Sequence, residues 1–191
     1  MDENKIIGQY GGYRKLRSFQ TAQMVYDFTV VFCDRFIERT SRTKDQMIQA
    51  ARSGVQNIAE GSMASATSKK TEMKLTSVAR SSLEELLLDY EDFLRHRSLQ
   101  IWHKDSPQAL AVRNHYKSDE SDTSDRSDKS DPFAIKTTDA QTAANVLICL
   151  INQASFLLGR QMKKLEESFL TEGGFTEKLY ATRSKVRKNR Y

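Results

Sequence analysis

The stretch that decides the fold is AANVLICLINQASFLLGRQMKKLEESF, residues 143–169. Its apolar residues recur every three or four positions, which is the spacing of one face of an α-helix. The pattern predicts a helix over 137–170, with Thr138 or Asp139 as its N-cap. Because an apolar seam of this length is stable in water only when other helices cover it, the chain must supply partners for it.

Three further long segments show the same helical spacing. We predict helices over 16–37, 43–60 and 69–98, and a shorter one over 107–116, where Pro107 suits the first turn. Only two prolines and eight glycines occur in 191 residues, and both residue types are disfavoured inside helices. Short connections force neighbouring helices to run antiparallel. The sequence therefore predicts an all-α fold, an antiparallel up-down four-helix bundle.

The ends of the middle helices carry capping signals. Thr43, followed three residues later by Gln46, predicts a capping box at the start of the second helix. Gly61 suits the left-handed position that ends a helix. Ser68 or Thr67 is expected to cap the third helix.

The first helix has an unusually wide apolar surface. Met24, Phe28 and Val31 form a second stripe beside the main one. This width predicts either a central helix or a contact in an oligomer.

The bundle, over 13–171, is expected to carry an insertion at 118–136. Ser118–Asp131 reads SDESDTSDRSDKSD, in which a Ser-Asp pair recurs every third residue. Without apolar side chains it cannot offset the chain entropy lost on ordering, so we predict a disordered acidic segment. The glycine and spacing of a calcium loop are absent. An acidic tether that competes for the basic C-terminus is the alternative.

The formal net charge of +5 is concentrated in a basic tail, residues 172–191. Tyr180 and Tyr191 are interleaved with the bases there. Lysine and arginine neutralise phosphates and tyrosine stacks on bases, so the tail predicts binding to RNA or DNA. A solubilising tail, or a contact with a protein or a membrane, remains an alternative. The last 17 residues of the tail, 175–191, carry the single acid Glu177 against six bases: Lys178, Arg183, Lys185, Arg187, Lys188 and Arg190.

Further bases stand at the starts of the first and third helices. Arg14, Lys15 and Arg17 precede or open the first, and Lys69 and Lys70 open the third. In an antiparallel bundle these two helices begin at the same end. The sequence therefore predicts one positive patch that adds to the tail.

No pattern of catalytic or metal-binding residues occurs. The three histidines lack metal spacing, and HExxH, CxxC and glycine-rich phosphate motifs are absent. We therefore expect no enzyme activity, no cofactor and no metal. Cys33 and Cys149 lie within apolar helical stripes and are expected to be buried thiols. The chain shows no apolar run of membrane-spanning length and no secretory signal, so a cytoplasmic location is expected.

The run QMIQAARSGVQNIAEGS, 46–62, resembles the signature of a family of small bacterial four-helix-bundle proteins. That family includes proteins encoded within intervening sequences of large-subunit ribosomal RNA and accessory variability proteins of retroelements. The segment KLTSVARSSLEELLLDYEDFL, 74–94, is similar to the family's third helix, and 17–37 to its first. The tail sequence GGFTEKLYATR, 173–183, resembles the C-terminal extension of a longer branch.

The resemblance implies an up-down bundle and a homo-oligomer, which in relatives is a ring of five subunits. It also implies nucleic-acid association beside a partner enzyme such as a reverse transcriptase. For the motif itself we expect a structural role: Asn57 and Glu60 bonding loop amides or Arg80 just before Gly61. The alternatives are a protein-interaction scaffold that binds no nucleic acid, and an enzyme with a pocket lined by Asn57, Glu60 and Arg80.

Overall fold

The computed structural model describes residues 12–116 and 133–188. Within these ranges the protein is all-helical and contains no strand. A short 3-10 helix, Tyr13–Lys15, precedes the α-helices. These are α1 (Arg17–Phe36), α2 (Arg42–Ala64), α3 (Lys69–His96), α4 (Pro107–His115), α5 (Ala140–Glu172) and α6 (Phe175–Lys188).

Four long helices surround one core. In this group α1 packs on α2, α2 on α3, α3 on α5, and α5 on α1. Ser18, early in α1, bonds Gln161, late in α5, and Lys69, at the start of α3, bonds Ser168 of α5. Neighbouring helices in these pairs therefore run in opposite directions. This arrangement is compatible with the predicted antiparallel four-helix bundle.

The centre of the core is aromatic. The Phe32 ring packs edge-on against Tyr90 and Phe93, with 4.9 Å between ring centroids in both pairs. The Tyr90 hydroxyl donates to Thr29 Oγ1 at 3.0 Å, and Thr29 in turn donates to the Val25 carbonyl at 2.7 Å. The hydroxyl groups of Tyr90 and Thr29 are therefore both hydrogen-bonded, although both side chains are fully buried.

Small residues bring α2 and α3 close together, and they correct one expectation. The hydroxyls of Ser53 and Ser82 lie 2.9 Å apart, and a Cβ at Gly54 would come within 2.9 Å of Leu83. The prediction that Gly61 ends the second helix is wrong, because α2 continues to Ala64. Gly61 is buried, and a Cβ there would lie 3.4 Å from the carbonyl of Glu72. It serves helix contact rather than helix ending.

The helix caps follow the sequence in two places out of three. Ser68 accepts from the Thr71 amide and Asp139 from the Thr142 amide, which confirms the caps of α3 and α5. The predicted capping box at Thr43 is wrong, because Ser41 is the N-cap and its hydroxyl accepts from the Thr43 amide. Serine and threonine are both good N-cap residues, but the N-cap lies two residues earlier than predicted, at Ser41 instead of Thr43.

The connection between α3 and α5 covers the second stripe of α1. Phe28 packs against Tyr116, and Met24 and Val31 are also partly buried against the core. Residues 117–132 lie outside the described residues, as does most of the predicted insertion 118–136. Its last four residues are described, and Ile135 among them is 2% exposed, with its carbonyl bonded by Arg35. These four residues therefore belong to the packed structure.

One helix has the length and mean hydropathy of a membrane span. The stretch is Ala140–Glu177, and 56% of its most apolar window is buried inside the protein. Core helices of soluble proteins meet the same criterion.

Candidate nucleic-acid interface

A glycine pair turns the chain from α5 into α6. Gly173 adopts a φ of 69°, which favours glycine, and its amide bonds the Phe169 carbonyl at 3.0 Å. The Gly174 amide donates to Glu177 Oε2 at 2.6 Å. A glutamate that reaches back to the first amide of a helix is half of a capping box. Local bonds thus start α6.

The described part of the basic tail is helical from Phe175 to Lys188. In the part of the chain that is described, α6 makes no extensive contact with the other helices. Phe175 and Leu179 are half-buried, whereas Tyr180 is 76% exposed. The tail bases Arg183 and Arg187 are exposed on α6. Lys178, Lys185 and Lys188 belong to the same helix, and Arg190 lies outside the described residues.

The exposed bases of the predicted patch lie in two places. Arg14 and Lys15 are exposed on the 3-10 helix, where the Arg14 guanidinium sits 5.4 Å from the centre of the Tyr13 ring. Lys70 is exposed in the first turn of α3. These side chains are open to a ligand.

The other two patch residues are occupied by the protein itself. Arg17 is half-buried and donates to the Tyr116 carbonyl at 3.5 Å. Lys69 donates to both the hydroxyl and the carbonyl of Ser168, the latter at 3.1 Å. It also opposes the rise that burial causes in the pKa of Glu72. Arg17 and Lys69 therefore hold elements together at this end.

Two hydrogen bonds to α5 locate the starts of α1 and α3 relative to α6. Ser18 of α1 donates to Gln161, and Lys69 of α3 donates to Ser168. These two acceptors are about 10 Å apart along the α5 axis, at the usual helical rise. Both precede the end of α5, after which α6 begins at once. The 3-10 helix, the start of α3 and the start of α6 therefore lie toward one end of the helix group.

In the segment Asn57–Gly61 of the family-like stretch, Ile58 and Gly61 pack into the core and against α3, whereas the bonds of Asn57 are local. The Asn57 amide donates to the carbonyl and the hydroxyl of Ser53, at 2.8 and 3.1 Å. Glu60 and Arg80 are both exposed, and no bond joins them in the described structure. Asn57 therefore braces the Ser53–Ser82 contact between α2 and α3, rather than the loop that joins them.

Two shallow clefts lie along α2 and α3. One, of about 480 Å³, is lined by residues that include Asp45, Ser53 and Glu85. The other, of about 380 Å³, lies at the far end beside Asp89 and His96. Neither is lined by Asn57, Glu60 or Arg80. Burial, and then the carboxylates of Glu85 and Asp92, raises the pKa of Asp89. The acidic side chains that line both clefts are opposite in sign to the bases of α6.

The described residues contain no group of His, Cys, Asp or Glu side chains arranged to hold a metal ion. Burial raises the pKa of the Cys33 thiol to about 12 and also raises that of Cys149. Since the thiolate is the nucleophile, these shifts disfavour the reactive form of both sulfurs. Cys33 is buried as expected, whereas Cys149 is only half-buried. Neither cysteine is disulfide-bonded.

Sequence reasoning missed two features of this interface. It predicted a tail where the structure has a helix, and it did not place Tyr180 on the same face as Arg183. The available signal was Glu177, three residues after Gly174, which is the spacing of a capping box.

Comparison with known protein families, with curated proteins and with solved structures finds no match to this chain.

Proposed function

We propose that the protein is a non-enzymatic, antiparallel four-helix bundle that binds nucleic acid through one basic end. The basic end is defined by five exposed side chains, on the 3-10 helix, in the first turn of α3 and on α6. They are Arg14, Lys15, Lys70, Arg183 and Arg187.

The observation that carries the proposal is the convergence of these three elements. The start of α1 and the start of α3 are both bonded to the last part of α5, and α6 follows directly. The exposed bases Arg14, Lys15 and Lys70 thereby lie toward one end, and the helix that carries Arg183 and Arg187 begins there. Carboxylates line the clefts of α2 and α3. Such separation of charge suits a long polyanion.

Phosphate contacts supply affinity without sequence specificity. Each phosphate neutralised by lysine or arginine releases a condensed counterion, so binding weakens as salt is added. The two clefts lie along α2 and α3 and not among the five side chains of the basic end. The proposal is therefore a binder with a large salt dependence.

The test is fluorescence anisotropy with labelled RNA and DNA oligonucleotides from 50 to 300 mM salt. We expect the logarithm of the affinity to fall linearly with the logarithm of salt. Replacing all five basic-end side chains by glutamine should lower the affinity at least tenfold and flatten the slope. The matched control removes five exposed bases elsewhere and should keep both values: Arg39, Arg42, Arg97, Lys104 and Lys136.

Two results contradict the proposal. One is no measurable binding at the lowest salt. The other is an equal loss of affinity in both glutamine variants, which would reflect net charge rather than the basic end.

The family resemblance extends the proposal to assembly and context. A homo-oligomer, a ring of five subunits as in relatives, would multiply the basic ends and raise avidity. It would act in the cytoplasm beside a partner enzyme such as a reverse transcriptase. Light scattering tests the assembly, since a monomer mass at every concentration contradicts it.

A protein-interaction scaffold is the second candidate. Large apolar side chains on α5 favour it: Phe156 is 64% exposed and Leu170 is 76% exposed. Such residues often mark contacts with other chains. A mass that falls to the monomer on Phe156→Ser, in a protein without nucleic-acid binding, would favour this candidate over the first.

A further inference from the structure

Tyr180 is an aromatic side chain presented to solvent. It is 76% exposed, whereas Tyr90 is fully buried and Tyr116 is 8% exposed. Tyr13 packs its ring against Phe19. In the described residues, the Tyr180 ring packs against no other aromatic ring. The core therefore does not account for this residue.

Two arginines share the face of α6 on which Tyr180 lies. Arg183 follows by three residues and Arg187 by seven, which are the spacings of neighbours on one side of a helix. At the usual helical rise, Arg183 lies about 4.5 Å and Arg187 about 10 Å further along the axis. Both guanidinium groups are exposed. The face thus combines one flat ring with a line of two cations.

We propose that this face, Tyr180–Arg183–Arg187, is a stacking site for an unpaired base of single-stranded nucleic acid. The inference rests on the proposed function and narrows its ligand. A single strand exposes the faces of its bases, whereas a duplex hides them in its stack. The tyrosine ring stacks on the base, and the two arginines, which both lie further along the helix, bind successive phosphates on one side of that base.

The composition of the face distinguishes this ligand from an apolar partner. Along the face, Tyr180 is followed by charged groups, and the apolar residues Phe175 and Leu179, on the adjoining flank of the helix, are already half-buried. An apolar partner would leave the two guanidinium groups desolvated and unpaired, at a free-energy cost. A phosphate backbone pairs with them.

The test compares single strands and duplexes of equal length, with the full chain. Tyr180→Ala should weaken single-strand binding about tenfold, the loss of one stacked base, and leave the salt slope unchanged. Duplex affinity should change less than twofold. Tyr180→Phe should restore the single-strand affinity, because the ring remains. Alanine is a better helix former than tyrosine, so the variant keeps α6, which circular dichroism verifies.

Leu170→Ala is the matched control, because Leu170 is also 76% exposed but cannot stack. Equal effects of Tyr180→Ala and Leu170→Ala overturn the inference. A loss of affinity that is equal for single strands and duplexes also overturns it. So does a loss that is seen with vesicles of anionic phospholipid, as a further probe, and not with single strands. If Tyr180→Ala binds as the parent while the five-glutamine variant weakens, the stacking site is refuted and the proposed function stands. No binding by the parent chain refutes both.

Discussion

Glycine has different roles in the α2–α3 contact and at the α5–α6 end. In the first, glycine removes a side chain so that two helices approach: a Cβ at Gly54 would meet Leu83 at 2.9 Å. In the second, glycine permits a turn, since Gly173 has a φ of 69°. The contact region is held by packing, and the end region by local hydrogen bonds and capping.

This difference teaches where stability and binding are located. Packed positions contribute most of the free energy of folding, so changes there are expected to act on the whole molecule. The α5–α6 end contributes little to the core, so its side chains are free to carry charge and an exposed ring. Six substitutions test that division, beginning with the largest effect.

Phe32→Ala should be the most destabilising. Phe32 is fully buried and its ring contacts Phe36, Tyr90 and Phe93. Removing a buried phenyl ring and leaving a cavity costs about 3–5 kcal/mol. Urea denaturation measures this loss as a lower midpoint. A loss below about 1 kcal/mol would mean that the aromatic centre is not the core.

Gly54→Ala and Gly159→Ala should have opposite signs. Both glycines lie within helices, where alanine is favoured by about 1 kcal/mol. Nothing lies within 4 Å of a Cβ at Gly159, so its variant should gain most of that amount. At Gly54 the clash with Leu83 should outweigh the gain, with a net loss of about 1 kcal/mol. Thermal unfolding of the two variants side by side checks the signs.

Asp139→Ala should destabilise in a pH-dependent way. Bonds from the Thr142 side chain and amide lower the pKa of Asp139 from its ordinary value of 3.8. Because the folded pKa is depressed, the stabilisation is present above the unfolded value and is lost as the pH falls through the folded one. We expect a loss of about 1 kcal/mol at pH 7 that shrinks below pH about 4.

Ser68→Ala provides the control for the pH effect. Its hydroxyl caps α3 in the same way but does not titrate. Urea titrations at pH 7 and pH 3 should show a constant loss for Ser68→Ala and a reduced one for Asp139→Ala. Equal behaviour of the two variants would show that the cap charge does not contribute.

Glu177→Ala should have the smallest effect on global stability. It removes the bond to the Gly174 amide, and the loss of such a cap weakens a helix by about 0.5–1 kcal/mol. Since α6 packs little on the core, circular dichroism should lose helix signal without a shift of the main unfolding transition. A shift larger than that of Asp139→Ala would show that α6 is part of the core.

Periodicity and capping chemistry predicted the helices that the core depends on. Met47, Ala51, Val55 and Ile58 recur at helical spacing within the second helix, and all four are buried. The errors arose where two physical roles share a residue type. Gly61 was interpreted as a helix end because glycine favours that position, but close contact with α3 explains it.

The basic residues were found from composition, but their states depend on tertiary contacts. Lys69 and Lys70 are equivalent in sequence, yet Lys69 bonds Ser168 and Lys70 is exposed. The wide surface of the first helix was likewise ambiguous, because the residue that covers Phe28 is Tyr116, far along the chain. Such pairings depend on chain path rather than on local pattern.

The short turn between α2 and α3 has a kinetic consequence. The Ser53–Ser82 contact joins residues 29 apart, whereas Ser18–Gln161 joins residues 143 apart. Closing a short loop costs less entropy, so the α2–α3 hairpin can form before α5 docks. Substitutions at Ser53 should therefore slow folding, and those at Gln161 should mainly speed unfolding. The glycines that let α2 and α3 approach then act as much on the order of folding as on the final structure.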